Sequence, residues 1–349
     1  MNKVELRANR KLDHLKLSLE EVGNNLSNWF ENVILVHQAL PELNFDEIDL
    51  TCNWLGKNLA APILINAITG GAKATKQINA SLAKVAKKYG LAMAVGSQTS
   101  GIEDGSIQET YQVAREENPD GLLLANVSAL STVEEVFQAV EMIQADGVQL
   151  HLNVLQELLM PEGDREFKSL LDNIAEIVKQ SPVPVIIKEV GSGISKEVAL
   201  KLYNKGITNI DVGGYGGTNF AAIEALRHRP PRSNIFNTWG IPTAASLLEV
   251  KSLNLPVHIT ATGGIKTGLE VCKALRLGAD IVGIAGYCLK ILLRHGESQL
   301  SEELDHIIND LKIAMLLCGA KNTTQLSRVP VVYTGDLLCW IKQRNLTID

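Results

Sequence analysis

This sequence predicts an α/β fold, an eight-stranded (β/α)8 TIM barrel, and three observations predict it. Eight short runs of Val, Ile, Leu and Ala recur between residues 62 and 286. Each is nearly continuously apolar, as a parallel strand covered on both faces must be. Amphipathic stretches separate the runs, and several end at glycine, a common helix stop. Repeated strand–helix units build a parallel sheet, and eight of them close it into a barrel. The alternative, an open doubly wound sheet, is disfavoured by the count of eight and by the lack of an early G-x-G-x-x-G.

In chain order the runs are PILINA (62–67), LAMAV (91–95), GLLLAN (121–126), GVQLHLN (147–153), PVIIKEV (184–190), ITNIDVG (207–213), PVHITA (256–261) and DIVGIAG (280–286). The segments TKQINASLAKVAKKYG, TVEEVFQAVEMIQADG and SKEVALKLYNKG supply helices after runs one, three and five. Residues 1–60 form an N-terminal extension, 61–295 the barrel, and 296–349 a helical C-terminal tail. No low-complexity linker breaks the series, so one domain is expected over 1–349. The longest irregular insert, 227–242 after strand six, has the length of a lid, and Pro242 is placed to open helix six.

The net charge of −6 gives no electrostatic case for nucleic acid or an anionic membrane. Five scattered cysteines, an odd number without a C-x-x-C pair, argue against a disulfide framework or zinc site, and reduced thiols are expected. The charged N-terminus lacks the apolar core of a signal peptide, and no run approaches the roughly 20 residues of a membrane span. A cytoplasmic protein is expected.

Barrel enzymes carry their chemistry on the loops after the strands. Strand one ends NAITGGAKAT, where Gly70 and Gly71 allow a flat ligand close to the backbone or serve a tight turn. Strand two ends VGSQTSGIED and strand three at Asn126. Strand four runs into HLNVLQELLMPEGD (151–164). Alternation puts Gln149, His151 and Asn153 on one face, with Gln156 and Glu157 in the following loop and a helix from near Arg165. A structural histidine in a capping loop is the plain alternative. Lys188, in the Val/Ile strand VIIKEVG, needs an anion, either Glu189 as a structural partner or an anionic cofactor ring. Strand six ends DVGGYGGTNF, an amide-rich anion nest. The loops ATGGIKTG and GIAGY, after strands seven and eight, fit a barrel phosphate site, commonly that of FMN. Before the barrel, Arg7, Arg10, Lys11 and His14 share a helical face, either solvated or clamping a diphosphate.

Across nearly its whole length the chain resembles the type 2, FMN-dependent isopentenyl-diphosphate isomerases. The motifs are NRKLDHL, APILINAITGG, VGSQ, HLNVLQELLMPEGDREF, VPVIIKEVG, GGTNFAAIE, WGIPTA and TGGIKTGLEVCKALRLGADIVGIA. The fourth is highly specific. The resemblance implies that Ala67, Ile68 and Thr69 lie against the flavin and that Ser97 and Asn126 hydrogen-bond it. It implies Lys188 beside flavin N1, Thr218 in contact with FMN, and Gly263, Gly264, Ala285 and Gly286 around the phosphate. Arg10, Lys11 and His14 would grip the substrate diphosphate, with Ser97, His151, Asn153 and Gln156 as further substrate contacts. Glu157 would hold Mg²⁺, and Glu224 would be another polar pocket residue. Two departures stand out: Thr99 replaces a common Arg, and Phe220 the usual Trp.

The implied reaction interconverts isopentenyl and dimethylallyl diphosphate by a 1,3-allylic proton shift. Protonating an alkene generates carbocation character and demands a dry, electron-rich site. No side chain is an obvious strong acid for it; Cys288, just past strand eight, is the nearest thiol. Reduced FMN, primed by NADPH, is the expected acid–base catalyst, with Gln156, Glu224, Lys188 and His151 as candidate catalytic residues. The resemblance also implies a homotetramer or homo-octamer. A 2-hydroxy acid oxidase on the same barrel, or a non-catalytic flavin- or phosphate-binding barrel, is the competing reading.

Overall fold

The computed structural model describes residues 26–227 and 235–348, together with Asp13 and Leu17. Eight parallel strands close into a barrel in chain order. They are β1 (Ile63–Ile65), β2 (Ala92–Ala94), β3 (Leu123–Ser128), β4 (Gly147–Leu152), β5 (Val185–Glu189), β6 (Asn209–Asp211), β7 (His258–Thr262) and β8 (Ile281–Ile284). Closure pairs β8 with β1, Gly283 opposite Leu64.

Period-2 alternation explains the two layers of core. Ile63, Ile65, Leu123, Ala125, Val148, Leu150, Val185 and Ile187 pack in the cluster that includes the surrounding helices. Leu64, Ala92, Ala94, Leu124, Ile186 and Ile281 fill a second, smaller cluster with Trp54 and Leu59. Trp54 and Leu59 come from an antiparallel hairpin, Cys52–Trp54 with Lys57–Leu59, which plugs that cluster. Two residues further along their strands, the partners of Leu64, Leu124 and Ile186 are Asn66, Asn126 and Lys188. The barrel interior is therefore apolar at one end and polar at the end where the loops carry function.

The helices Lys76–Tyr89 and Lys196–Tyr203 fall where the amphipathic patterns put them. Gly90, at φ 60°, takes the left-handed position that ends the first. After Val133–Ile143 that position is Gln144, and Gly147 instead opens β4. The stretch after β4 differs from expectation. A short helix, Val154–Leu159, follows the strand at once, so Gln156 and Glu157 are helical rather than in a loop. The next helix is Leu170–Gln180, not one from near Arg165. Arg165 instead closes the turn, donating to the carbonyls of Glu157, Met160, Gly163 and Asp164.

The extension and tail meet each other: Val33–Leu35 pairs antiparallel with Val331–Tyr333. The helix after β8, Gly286–Leu317, is broken at Gly296, whose φ of 86° no helix interior adopts. The closing helix Gly335–Gln343 is tied to the barrel helix Thr243–Lys251 through Glu249, which accepts from Trp340 Nε1 (2.9 Å) and Arg344 Nε (2.6 Å). Pro242 immediately precedes Thr243–Lys251, as expected. All five cysteines are free thiols. Among the described residues, no helix is long and apolar enough to cross a membrane.

Candidate active site

The polar end of the barrel is wired by one continuous chain of side-chain hydrogen bonds. Lys188 Nζ lies 3.1 Å from Asp211 Oδ2, and donates to the Glu189 carbonyl (3.0 Å) and to Thr262 Oγ1 (3.3 Å). Asn66 Nδ2 donates to Asp211 Oδ2 (2.8 Å), Gln149 Nε2 to Asn66 Oδ1 (2.8 Å) and Asn126 Nδ2 to Gln149 Oε1 (2.9 Å). Asn126 Oδ1 then meets His151 Nδ1 at 2.9 Å. Asn66, Gln149, Asn126, Lys188 and Asp211 are all buried.

The anion that Lys188 requires is thus Asp211, a neighbour across the sheet, and not the Glu189 carboxylate. Consecutive strand residues face opposite sides, so Glu189 turns away from Lys188. Its Oε2 accepts from the backbone N–H groups of Gly191 (2.7 Å), Ser192 and Gly193 (3.1 Å). Burial pushes the Glu189 carboxyl up to about 7, against the lowering effect of those N–H groups and Lys188. The folded state therefore holds this proton to higher pH than the unfolded chain, whose carboxyl titrates near 4.5. Stability is expected to fall as pH rises between those two values, by about 3 kcal/mol in total, and to level off above. Urea unfolding of wild type and Glu189→Gln at pH 5 and pH 8 checks this. Equal pH slopes in the two proteins would refute it.

A second constellation follows β4. Asn153, at the start of Val154–Leu159, donates from Nδ2 to Glu157 Oε1 (2.8 Å) and to Gln156 Oε1 (3.4 Å), the i, i+3, i+4 geometry of one helical face. Gln156 Nε2 reaches Glu224 Oε1 at 3.5 Å. Glu224 is buried, on helix Phe220–Arg227, and pairs with Arg227, which also contacts Glu162 at 3.2 Å and Asp13 at 3.9 Å. Asn153, Gln156, Glu189, Thr218, Phe220 and Trp239 line one cleft. Glu157 Oε2 accepts from the Asp164 N–H (2.9 Å). Among the described residues, no group of three or more His, Cys, Asp or Glu can hold a metal. A metal at Glu157 would rest on one protein carboxylate, a mode suited to Mg²⁺ shared with phosphate oxygens.

The third constellation is a cradle of glycines from the loops after β6, β7 and β8. Gly263 and Gly264 have φ of 121° and 74°. A Cβ on Gly264 would stand 2.1 Å from the Gly216 carbonyl oxygen, and one on Gly217 2.6 Å from the Gly264 nitrogen. Gly286 opens the long helix after Ala285, and a Cβ there would lie 2.8 Å from Thr218 Oγ1 and 3.9 Å from Ile68 Cδ1. Bare backbone at a helix N-terminus, beside a threonine hydroxyl, suits a phosphate.

The remaining expected contacts lie nearby in the chain. Ala67 and Ile68 are half-buried and Thr69 buried. The Thr69 carbonyl accepts from Gly96 N–H (2.9 Å), which locks the first two loops together. At Gly70 the flat group close to the backbone belongs to the protein. A Cβ there would fall 2.2 Å from Tyr111 Cε1, so the glycine makes room for the Tyr111 ring. Ser97 Oγ pairs with Thr99 Oγ1 at 3.2 Å. Cys288 is buried, and burial pushes its thiol up to about 12. Arg7, Arg10, Lys11, His14 and residues 228–234 of the 227–242 insert lie outside the described residues.

Comparison with known proteins decides between the isomerase and the oxidase readings. A family model described as FMN-dependent dehydrogenase matches residues 153–332. Among solved structures, lactate oxidase of Pediococcus acidilactici superposes with a TM-score of 0.68 at 18% identity, over 90% of this chain and 88% of that one. A mandelate oxidase variant with an FMN adduct gives 0.65 at 16%, over 91% and 92%. These share the fold. The isopentenyl-diphosphate delta-isomerase of Moorella thermoacetica is 52% identical over 339 residues, 97% of both chains. That of a Geobacillus species is 44% identical, again over 97% of both.

The chain belongs to the type 2, FMN-dependent isopentenyl-diphosphate delta-isomerases.

Within this isomerase family, its two departures have definite places here. Thr99 opens the short helix Thr99–Glu103 with its hydroxyl on Ser97, and Phe220 opens the helix carrying Glu224 and lines the cleft. Reading the strand ends missed Asn66, Gln149 as a link, Asp211, Thr262 and Arg227. For Asn66 a signal was available, a polar residue two positions after the inward Leu64 at the end of its strand; Asp211 follows Asn209 and Gln149 follows Gly147, so neither carries that pattern.

Proposed function

We propose that this chain interconverts isopentenyl and dimethylallyl diphosphate by a 1,3-allylic proton shift, adding a proton at C4 and removing one from C2. FMN in its reduced form would be the cofactor and NADPH its reductant, and Mg²⁺, held by Glu157, would offset the charge of the diphosphate. The observation that carries this reading is the cleft where Asn153 and Gln156, the latter 3.5 Å from the buried Glu224 behind it, meet the glycine-lined loops. The cofactor fits these residues: Gly263 and Gly264 leave bare backbone, packed against the loop after β6, near the Thr218 hydroxyl and the helix N-terminus at Gly286, which is the kind of surface a phosphate binds.

Reduced FMN, when bound, supplies an electron-rich ring and exchangeable protons beside the alkene. Gly263, Gly264, Ala285, Gly286 and Thr218 hold its phosphate end. Ala67, Ile68 and Thr69 line the ring, and Ser97 and Asn126 hydrogen-bond it. Lys188, kept in place by Asp211, presents positive charge to it. His151, Asn153 and Gln156 shape the substrate pocket, with Ser97 at its edge. Gln156 and Glu224 orient or relay protons. Phe220 and Trp239 help keep water from the reacting carbons.

Glu157 binds Mg²⁺, and Arg10, Lys11 and His14 take the diphosphate. The same reading makes 1–349 one catalytic domain of a cytoplasmic homotetramer or homo-octamer.

An anaerobic assay with isopentenyl diphosphate, Mg²⁺, FMN and dithionite tests the proposal. Dimethylallyl diphosphate should form with the wild type, and Glu157→Gln should lower turnover at least about tenfold. FMN retained without any isomerisation under those conditions would overturn it.

A further inference from the structure

The hydrogen-bond chain across the barrel has a direction, and the direction can be deduced. A backbone N–H only donates, so the Asn66 atom 2.7 Å from the Ala67 nitrogen must be Oδ1. That leaves Asn66 Nδ2 facing Asp211 Oδ2, which also sits 3.1 Å from the Lys188 ammonium and so faces two donors. Asn66 Oδ1 also receives Gln149, whose contacting atom must then be the donor Nε2. Gln149 Oε1 is left to accept, and only Asn126 Nδ2 can give to it. Asn126 Oδ1 is what remains for His151 Nδ1, 2.9 Å away. An amide oxygen cannot donate, so the imidazole nitrogen must.

We infer that Asp211, Asn66 and Gln149 are positioning residues that, acting through Asn126, fix His151 as its Nδ1–H tautomer and leave Nε2 as the acceptor nitrogen of the neutral ring. The inference deepens the proposed function and rests on it for His151's place in the pocket. It has a chemical consequence. A neutral His151 can accept at Nε2 from an O–H or N–H of a bound molecule. It can donate there, for example to a phosphate oxygen, only after taking a proton. The proton that Nδ1 carries is committed to the barrel wall in both states. The Lys188 ammonium and the His151 imidazole thus sit at opposite ends of one relay, and each end's geometry is set through the other's partners.

The test reads nitrogen protonation directly, on the FMN-loaded full-length protein labelled with ¹⁵N-histidine. Long-range ¹H–¹⁵N correlation distinguishes a protonated from an unprotonated ring nitrogen, and loss of one histidine pattern in His151→Gln assigns the resonance. At a pH where the ring is neutral, wild type should show Nδ1 protonated and Nε2 bare. Gln149→Met, of similar volume but unable to join the relay, should let Asn126 turn over and mix the tautomers, cutting the Nδ1–H population severalfold. Asn126→Asp keeps an acceptor opposite Nδ1 and should retain the wild-type tautomer.

An Nε2–H ring in wild type overturns the inference, and that measurement needs no substitution. A folded Gln149→Met protein with an unchanged tautomer overturns the part played by Asp211, Asn66 and Gln149. Because the spectrum is recorded without turnover, failure here is separable from failure of the isomerase assay.

Discussion

Lys188→Met is expected to destabilise the fold by about 3–5 kcal/mol, the usual cost of removing one partner of a buried ion pair. The Lys188 side chain is 9% exposed and that of Asp211 not at all. Without the ammonium, Asp211 keeps donors in Asn66 Nδ2, Thr262 Oγ1 and the Gly213 N–H, but no counter-charge. Those hydrogen bonds do not offset the desolvation of a carboxylate. The double variant Lys188→Met/Asp211→Asn removes the orphaned charge as well, so it should be more stable than the single one by about 1–3 kcal/mol. Denaturant unfolding of the four proteins closes the cycle. A single variant within about 0.5 kcal/mol of wild type would show that the pair does not hold this end of the barrel.

Turnover of the same variant is expected to drop about a hundredfold or more, because under the proposed function Lys188 supplies preorganised charge to the flavin. The effect should fall on the turnover number rather than on KM, since the proposed function gives the diphosphate to other residues and Lys188 is buried beside Asp211. A loss confined to KM would place it in substrate binding instead.

Gly264→Ala is expected to weaken FMN binding about a hundredfold. The residue has φ of 74°, where an L side chain is strained by about 1–2 kcal/mol. Its new Cβ would also lie 2.1 Å from the Gly216 carbonyl oxygen, which is backbone and must shift rather than rotate away. Relief of such overlap costs about 1–3 kcal/mol and comes by parting the loops after β6 and β7, the two walls of the proposed phosphate site. Fluorescence titration of the apoprotein with FMN measures the change. A control, Gly105→Ala, alters a glycine with open space around it and should leave the affinity as it was. Undiminished FMN affinity in Gly264→Ala would mean that the phosphate binds elsewhere.

Much of this protein is written locally in its sequence. A strand covered on both faces has to be apolar throughout, so the eight runs and their order follow from composition and period alone. Glycines that close two loops, and the polar set His151, Asn153, Gln156 and Glu157 after one strand, are likewise visible as short motifs. That Asn153, Gln156 and Glu157 share a helical face is not read from the sequence, which puts Asn153 on the strand and the other two in a loop; the short helix Val154–Leu159 brings them together. Where the sequence misled, long-range contacts were responsible. Lys188 stands next to Glu189 in the chain but pairs with Asp211, because pleating sends neighbours to opposite faces while closure of the barrel brings β5 and β6 together. Gly70 looks like a ligand's seat and is Tyr111's. The relay from Asp211 to His151 joins four strands or strand ends separated by up to 145 residues. No local pattern encodes such a circuit, since each link depends on the register in which the barrel closes; the sequence determined what each strand carries, and tertiary structure decided which of those groups meet.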